Sequence, residues 1–179
     1  MPPVTPKISG FHLGQSPTLR GLGTFLRRLS VADSVEDVAH VVAQGARTLL
    51  EADGATVVLR EGGLCRYVEE SAISPLWKGR RFPLEACISG WCMLHRASAV
   101  IPDITQDPRI PQDAYASTFV KSLAMVPVPQ DEPLGAIGAY WAHERETSQQ
   151  ELELLQMIAN ATSPALEHVR LRSHWSQPV

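Results

Sequence analysis

Apolar residues recur at helical spacing in two stretches near the start of the chain. In the first stretch they recur every three or four positions, while arginines take the other side; they are Leu19, Leu22, Phe25, Leu26 and Leu29. The second begins after Ser34, which with Asp37 predicts a capped helix start. Its apolar stripe consists of Val35, Val38, Val42, Ala46 and Leu49. Gly54 follows, where we expect the positive φ that ends a helix.

A third helical pattern occupies the last part of the chain. Its start is predicted either by Thr147 with Gln150 or by Ser148 with Glu151, because both pairs have the spacing of a capping box. Its stripe has the spacing of a packing seam and consists of Leu152, Leu155, Ala159, Thr162, Leu166 and Val169. Pro164 interrupts the helical hydrogen bonds, so we expect a kink there.

Strands are predicted between these helices. The runs rich in β-formers are 55–60, 64–69, 99–101, 122–128 and 134–142. The first two are joined by Gly62 and Gly63, which favour a hairpin. A short helix is expected in 85–95 and a helical turn in 114–119. This order predicts an α+β sandwich, with the terminal helices on one sheet face and the middle segment on the other.

Length and charge narrow the class of protein. The 179 residues suit one domain with flanking helices, here 18–172, between a disordered lead-in (1–17) and a tail (173–179). A net charge of −3 argues against binding to nucleic acid. Three cysteines do not make a disulfide framework, and neither a signal peptide nor a membrane span is visible. We therefore expect a cytoplasmic protein with reduced thiols and no membrane partner.

Short motifs between the predicted strands resemble those of a known family. They are Ile88-Ser89-Gly90-Trp91, Val100-Ile101-Pro102-Asp103, Asp107-Pro108-Arg109, Lys121-Ser122-Leu123 and the run from Pro133 to Tyr140. Together with the order of elements, they resemble GAF domains, and more narrowly those of bacterial sensor histidine kinases and related two-component proteins. The resemblance covers residues 30–171.

The resemblance implies a fold and a role. It implies a central antiparallel sheet of five or six strands, with N- and C-terminal helices on one face. Short helices and loops would cover a small-molecule pocket on the other face, under residues 77–119. It further implies a sensory homodimer that pairs through its first and last helices and signals to a downstream kinase or output domain. This chain carries no kinase motif, so we expect a regulatory segment without enzymatic activity, either part of a longer protein or a stand-alone regulator.

Candidate residues follow from both arguments. Large rings with a few polar groups suit a ligand pocket, and the pocket candidates are Tyr67, Trp77, Phe82, Cys87, Trp91, Asp103, Tyr115 and Phe119. The alternative interpretation is that these aromatic side chains are only core. The dimer-interface candidates are Leu22, Phe25, Leu29, Leu155 and Leu166. The ligand itself is not predicted.

Metal and chromophore sites are not expected. Cys92 and His95 share a helical face, but Cys87 points elsewhere, so we predict structural thiols and no metal. Covalent bilin binding would need an exposed cysteine beside a histidine after Asp107, and the sequence has none there. Non-covalent haem on His95 or on His143 is disfavoured, because isolated histidines are usually surface residues. Asp103 and Asp107 are predicted to cap turns and to pair with Arg109.

Two other functions stay open. Free methionine sulfoxide reductases are also GAF domains, and their nucleophilic cysteine precedes the penultimate strand. The corresponding stretch here, 118–121, has no thiol, and Ser89 stands where another family cysteine would precede glycine. The chain could instead be a structural dimerisation module without a ligand; a filled core would favour that function.

Overall fold

The fold is an antiparallel sheet between two unlike layers. A computed structural model describes residues 16–175, with side chains to 173. Its six strands are β1 (Gly54–Glu61), β2 (Leu64–Ala72), β3 (Arg81–Pro83), β4 (Ala99–Ile101), β5 (Ser122–Val128) and β6 (Gly135–Trp141). They lie in the order β3-β2-β1-β6-β5-β4, and every neighbouring pair is antiparallel. The predicted α+β class and sheet are confirmed; β3, a short strand beside β2, was not predicted.

The helices confirm the predicted start signals. They are α1 (Pro17–Ser30), α2 (Val35–Leu49), α3 (Ile88–His95), α4 (Gln112–Tyr115) and α5 (Gln149–Trp175). The Ser34 hydroxyl accepts a bond from the Asp37 N–H at 3.1 Å. Ser148 and Glu151 exchange backbone-to-side-chain bonds of 3.2 and 2.8 Å, so this pair is the capping box of α5. None of the helices between residues 16 and 175 is both long enough and apolar enough to span a membrane.

Several predicted boundaries were wrong or lie outside the described residues. Of the lead-in 1–17, only Ser16 and Pro17 are described, and Pro17 begins α1. Of the tail, 173–175 continue α5. Gly54 does not take the positive φ; Glu51 does, at 49°, and Gly54 begins β1. The helical turn predicted at 114–119 begins two residues earlier in the chain. It is α4, Gln112–Tyr115, and it directly follows Pro111.

One sheet face is covered by α2 and α5, and α1 packs against these two helices. We call the apolar layer beneath them the helix-side core. Four of the predicted dimer residues lie inside it, with exposed fractions of 4% (Phe25), 6% (Leu29), 0% (Leu155) and 1% (Leu166), and Leu22 packs partly buried against it. The interface prediction does not fit these four, because their surface is already buried within one chain. The helical stripes serve as the cover of the sheet.

The other face is covered by α3, α4 and the connecting loops. We call the layer beneath them the loop-side core; it contains Tyr67, Trp77, Tyr115, Tyr140 and all three cysteines. Gly90 allows α3 to pack closely against the backbone of Leu84, because a Cβ at this position would collide with it. Residues 84–86 form a single 3₁₀ turn before α3. The middle segment therefore covers the sheet face that the sequence assigned to it.

Candidate functional site

A small cavity lies in the loop-side core, between the sheet and α4. Its volume is about 10 Å³, and it is lined by Tyr67, Trp77, Phe82, Cys87, Pro111, Ala114 and Tyr115. A single water molecule needs roughly this much space, whereas pockets for drug-sized ligands measure about 300–1,000 Å³. The cavity lies where the sequence predicted a pocket, and the aromatic side chains fill most of it.

Trp77 is the centre of the aromatic cluster around the cavity. Its ring centroid lies 5.6 Å from Tyr67, 4.7 Å from Tyr115 and 5.5 Å from Tyr140. Such tilted and edge-to-face contacts each stabilise by about 0.5–1.5 kcal/mol beyond the area they bury. The indole N–H donates to the Ala114 carbonyl at 2.9 Å, which ties the loop before β3 to α4. The indole therefore joins two parts of the cover.

The loop that carries Trp77 is held by one carboxylate. Glu70, near the end of β2, accepts backbone N–H bonds from Leu76 at 3.0 Å and from Trp77 and Lys78 at 2.8 Å each. Bonds from N–H groups to a charged carboxylate are stronger than neutral ones. This one side chain therefore fixes the position of the Trp77 loop relative to β2.

Few polar groups face this layer. The buried Ser89 hydroxyl lies 3.2 Å from Tyr67 Oη and 3.3 Å from Cys87 Sγ. Tyr140 Oη bonds to Thr56 Oγ1 at 2.9 Å. The Tyr115 hydroxyl is buried and has no partner among the residues that the structure describes, although buried polar groups almost always have one. Burial raises the pKa of Tyr67 and Tyr115 well above the ordinary tyrosine value, so both hydroxyls are neutral.

The three thiols are not equivalent. The neighbouring Cys65 thiol and the Ser89 hydroxyl, 3.3 Å from Cys87 Sγ, lower the pKa of Cys87, whereas burial raises it. The neighbouring Cys87 thiol, with burial, raises the pKa of Cys65. Burial raises the pKa of Cys92 to about 12. Cys87 is therefore the thiol with the most thiolate character.

Three predicted pocket residues lie elsewhere. Trp91 is half-buried on the outside of α3, stacked on His95 at 4.6 Å with the Arg109 guanidinium 4.3 Å from its ring. Asp103 bonds to the backbone and hydroxyl of Thr105 at 2.9 and 2.7 Å, as a turn cap does. Phe119 packs against Gly54, whose added Cβ would lie 2.9 Å from its ring. These three side chains do not line the cavity.

The Cys92–His95 pair does not converge on one point. The Cys92 thiol points into the core, 3.8 Å from the Met125 carbonyl, whereas His95 is exposed and bonds to the Trp91 carbonyl at 2.9 Å. Within the described residues, no three metal-ligating side chains gather at one place. Asp107 instead pairs with Arg109 through contacts of 2.9 and 2.6 Å, as the sequence predicted. This pair holds the loop before α4.

Sequence reasoning missed Ser89, Glu70 and Cys65. Cys65 was open to prediction, because it lies two residues before Tyr67 and alternate residues of a strand share a face. Ser89 was considered as part of a motif and as standing in the place of a family cysteine, and nothing in its spacing places its hydroxyl between Tyr67 and Cys87. No sequence pattern indicates the role of Glu70, because its three hydrogen bonds depend on how the loop folds back on β2.

A much larger concavity lies on the helical side of the molecule. It is an open groove of about 830 Å³, bordered by the start of α1, the end of α2 and the start of α5. Polar side chains such as Arg145 and Glu151 line much of it. Because it is wide open to solvent and has no buried polar group, it lacks the features of a ligand pocket.

Comparisons with known proteins agree with this architecture. The GAF domain of a phosphoenolpyruvate-protein phosphotransferase from Acinetobacter is similar with a TM-score of 0.76 and 12% identity, over 89% of this chain and 98% of that one. Free methionine-R-sulfoxide reductase from Neisseria meningitidis, solved with its substrate, gives a TM-score of 0.74 and 16% identity over 87% and 91%. The GAF-B domain of DevS from Mycobacterium smegmatis gives 0.64 and 20% over 78% and 97%. At such identities these structures share the fold alone.

Sequence comparisons give the family. Comparison with curated proteins gave no match. The sequence model described as the GAF domain matches residues 32–167, which is most of the chain and includes the whole sheet. The match runs from just before α2 into α5 and includes every residue around the cavity. This chain therefore belongs to the GAF domain family.

Proposed function

We propose that this chain is the regulatory, non-enzymatic sensor domain of a bacterial signalling protein, and that it binds a small molecule in the loop-side core. The observation that carries the proposal is the Tyr115 hydroxyl, which is buried beside the aromatic cavity without a partner in the described part of the chain. An unpaired buried hydroxyl costs about 1–3 kcal/mol, and a ligand acceptor would recover this cost. Around it, aromatic rings and one hydroxyl network form the mixed lining that small ligands use.

The cavity has room for about one water molecule, so binding of an organic molecule requires the cover to move. The mobile part would be the segment from Glu85 to Phe119 together with the Trp77 loop, which is joined to α4 by one hydrogen bond. A ligand that fits only the raised cover shifts the population toward it. We infer that an aromatic or planar molecule with a hydrogen-bond acceptor replaces the contact between Trp77 and Tyr115. Such a ligand would be held without a covalent bond.

A route from the cavity to the helices runs through β6. Tyr140 belongs to the loop-side core, while its neighbours Ala139 and Trp141 belong to the helix-side core. Since side chains alternate across a strand, a shift of β6 under Tyr140 reaches the layer beneath α5. In this proposal α5 carries the signal to an output domain, such as a histidine kinase, in the cytoplasm.

The homodimer remains part of the proposal, with a different surface. Leu19 and Leu26 are 46% and 44% exposed on α1, and half-buried Leu22 lies between them on the same side. Met157 on α5 is 50% exposed. These side chains, rather than the buried Phe25 or Leu29, would meet a second copy. Leu26→Glu should then give a monomer in sedimentation velocity, whereas Val31→Glu, at an exposed position beyond α1, should not.

Native mass spectrometry of freshly purified protein, with an absorption spectrum, tests ligand binding. We expect a copurified small molecule on the full chain. Ala114→Met, which fills the cavity, should lose it, while Ala116→Met, at an exposed position one residue past α4, should keep it. Saturating ligand should also change hydrogen exchange in α5. The absence of any added mass on the wild type, with unchanged exchange after screening of metabolites, would contradict the proposal.

The filled cavity specifically favours a second candidate, a structural dimerisation module without a ligand. About 10 Å³ leaves no room for an organic molecule unless the cover moves. The two candidates differ in the response to Tyr115→Phe. A purely structural domain should be unchanged or stabilised by it, with no effect on output, whereas a sensor should lose affinity for its ligand. A thiol reductase would instead need turnover of methionine sulfoxide that is lost in Cys87→Ser.

A further inference from the structure

A short exposed turn runs along the rim of the cavity. It joins Trp77 to Phe82, which both line the cavity, and the residues between them are exposed. Gly79 takes a φ of 85°, and the Arg80 N–H donates to the Trp77 carbonyl at 2.9 Å. The Gly79 N–H donates to the Tyr67 carbonyl at 2.8 Å, and the Tyr67 N–H donates to the Arg80 carbonyl at 3.0 Å. The backbone of Arg80 is therefore fixed to β2.

The turn carries three cations, of which two have a carboxylate partner. Lys78 Nζ lies 2.6 Å from a carboxylate oxygen of Glu69. Arg81 Nε lies 2.9 Å from a carboxylate oxygen of Glu61. Among the residues that the structure describes, no carboxylate pairs with Arg80. The rim of the cavity therefore has one cation without a counter-ion.

Arg80 lies against a ring that belongs to the cavity wall. Its guanidinium carbon is 4.9 Å from the ring centroid of Phe82, and Phe82 lines the cavity. A cation–π contact attracts the positive charge but leaves it without an anion. The N–H donors of the Arg80 guanidinium bond to no acceptor within residues 16–173. A guanidinium with free donors fits the two oxygens of a carboxylate or a phosphate group.

We propose that Arg80 is the binding site for an acidic group of the small molecule, so that this ligand is a planar ring acid. The ring would take the place between Trp77 and Tyr115 when the cover rises. The acidic group, a carboxylate or a phosphate, would lie beyond Phe82 and accept hydrogen bonds from the Arg80 guanidinium. This inference rests on the proposed function and adds the charge of the ligand to it.

The two ends of the turn have different supports. Trp77 is held by the Glu70 carboxylate and by its indole bond to Ala114 of α4, which belongs to the cover. Arg80 is held by backbone bonds to β2, which belongs to the sheet. The cover can therefore rise at Trp77 while Arg80 keeps its place. An acid would gain charge-assisted hydrogen bonds there, whereas a neutral analogue would lose them and a cation would be repelled.

The first test compares two molecules of the same shape on the full chain. Quinoline-6-carboxylate is planar, and its ring nitrogen can accept a bond from the Tyr115 hydroxyl; quinoline-6-carboxamide differs by having no charge. Isothermal titration calorimetry at low salt should show the acid binding about ten-fold more tightly. Sodium chloride should reduce this preference, because it screens the charges. Quinolin-6-yl phosphate shows which acidic group is preferred, and it should also bind more tightly than the amide.

Matched variants assign the preference to one side chain. Arg80→Gln should bind the acid and the amide with nearly equal affinity, since only the charge of residue 80 is removed. Arg81→Gln is the control, because Arg81 is the adjacent exposed arginine but is paired with Glu61; it should keep the preference. Both positions are exposed, and circular dichroism should show folded variants. Equal affinities for acid and amide in the wild type, or an unchanged preference in Arg80→Gln, would overturn the inference.

A copurified molecule provides a second measurement. Once released from the wild type, it should bind to an anion-exchange column at neutral pH, and it should be absent from purified Arg80→Gln. A neutral or cationic molecule would overturn the role of Arg80 and leave the sensory function standing. No copurified molecule, together with no binding of any of the three quinolines, would contradict both proposals.

Discussion

The two faces of the sheet pack against different kinds of side chains. The helix-side core is made almost entirely of aliphatic side chains under three long helices. The loop-side core contains the tyrosines, Trp77 and all the thiols, under one two-turn helix, one single turn and loops. Backbone bonds within helices maintain the first cover, while side-chain bonds from Glu70, Trp77 and Asp107 maintain the second.

The two covers differ in how they are held in place and in the groups that they enclose. Aliphatic packing under helices gains stability from buried area and offers few polar groups that could orient a ligand. The loop side has buried hydroxyls and thiols, and its cover can shift when a few side-chain bonds break. Regions held in this way open at lower free energy than the core they border. The ligand site that we propose therefore lies on the face whose cover opens more easily.

The largest effect is expected on the helix side. Leu155→Ala should lower the free energy of unfolding by about 2–5 kcal/mol, because a fully buried leucine leaves a cavity under α5. Denaturant unfolding followed by circular dichroism measures this. Met157→Ala, two residues away and half exposed, should change it by less than about 0.5 kcal/mol. Similar losses for both variants would mean that α5 is not packed on the sheet as described.

A smaller and more local effect is expected at Glu70. Glu70→Gln should lower the free energy of unfolding by about 1–3 kcal/mol. A neutral amide then replaces the carboxylate that accepts three backbone hydrogen bonds, and its N–H₂ group faces one of the three N–H donors. Amide exchange should accelerate at Leu76, Trp77 and Lys78, with little change in α5. Glu69→Gln is the matched control. It removes a contact with exposed Lys78, worth about 0–1 kcal/mol, and should leave the Trp77 indole protected.

The two buried tyrosines offer a finer comparison within the loop side. Tyr140→Phe should cost about 0.5–1.5 kcal/mol, because Thr56 loses its partner. Tyr115→Phe removes a hydroxyl that has no partner, so stability should stay the same or rise. Thermal unfolding of both variants against the wild type decides this. A loss for Tyr115→Phe equal to that for Tyr140→Phe would mean that a bound water or another group satisfies Tyr115.

Local patterns predicted most of the fold because each was independent of distant contacts. The spacing of Leu152, Leu155 and Val169, the caps at Ser34 and Ser148, and the hairpin glycines all act within a few residues. The strand β3 was missed because three residues carry too short a pattern, and it forms only by pairing with β2. Four of the five predicted dimer residues proved to be buried within one chain, because a stripe shows which side of a helix is apolar without showing whether the protein's own core or a partner covers it.

The candidate site was predictable in part for the same reason. Aromatic residues in the middle segment indicated a ring-lined site, and Trp77, Tyr67 and Tyr115 do meet there. Trp91 is as apolar as Trp77, and only the direction of α3 places it outside, beside Arg109. The volume of the cavity was beyond the sequence, since it depends on how closely four rings pack. Sequence therefore locates the residues, and packing decides whether they enclose space.

The smallest effect concerns the ion pair that holds the loop before α4. The hydrogen bonds from Arg109, opposed by partial burial, lower the pKa of Asp107. A lowered pKa in the folded state means that the stabilisation is complete above the unfolded pKa and is lost as the pH falls below about 4. Asp107→Asn should therefore cost up to about 1 kcal/mol at neutral pH. Its difference from the wild type should shrink to nearly nothing in acid. Arg109→Gln should keep part of its difference there, because the guanidinium also lies over the Trp91 ring. A difference for Asp107→Asn that persists at low pH would show that the Asp107 side chain caps the loop through its backbone bond to Arg109, with the charge contributing little.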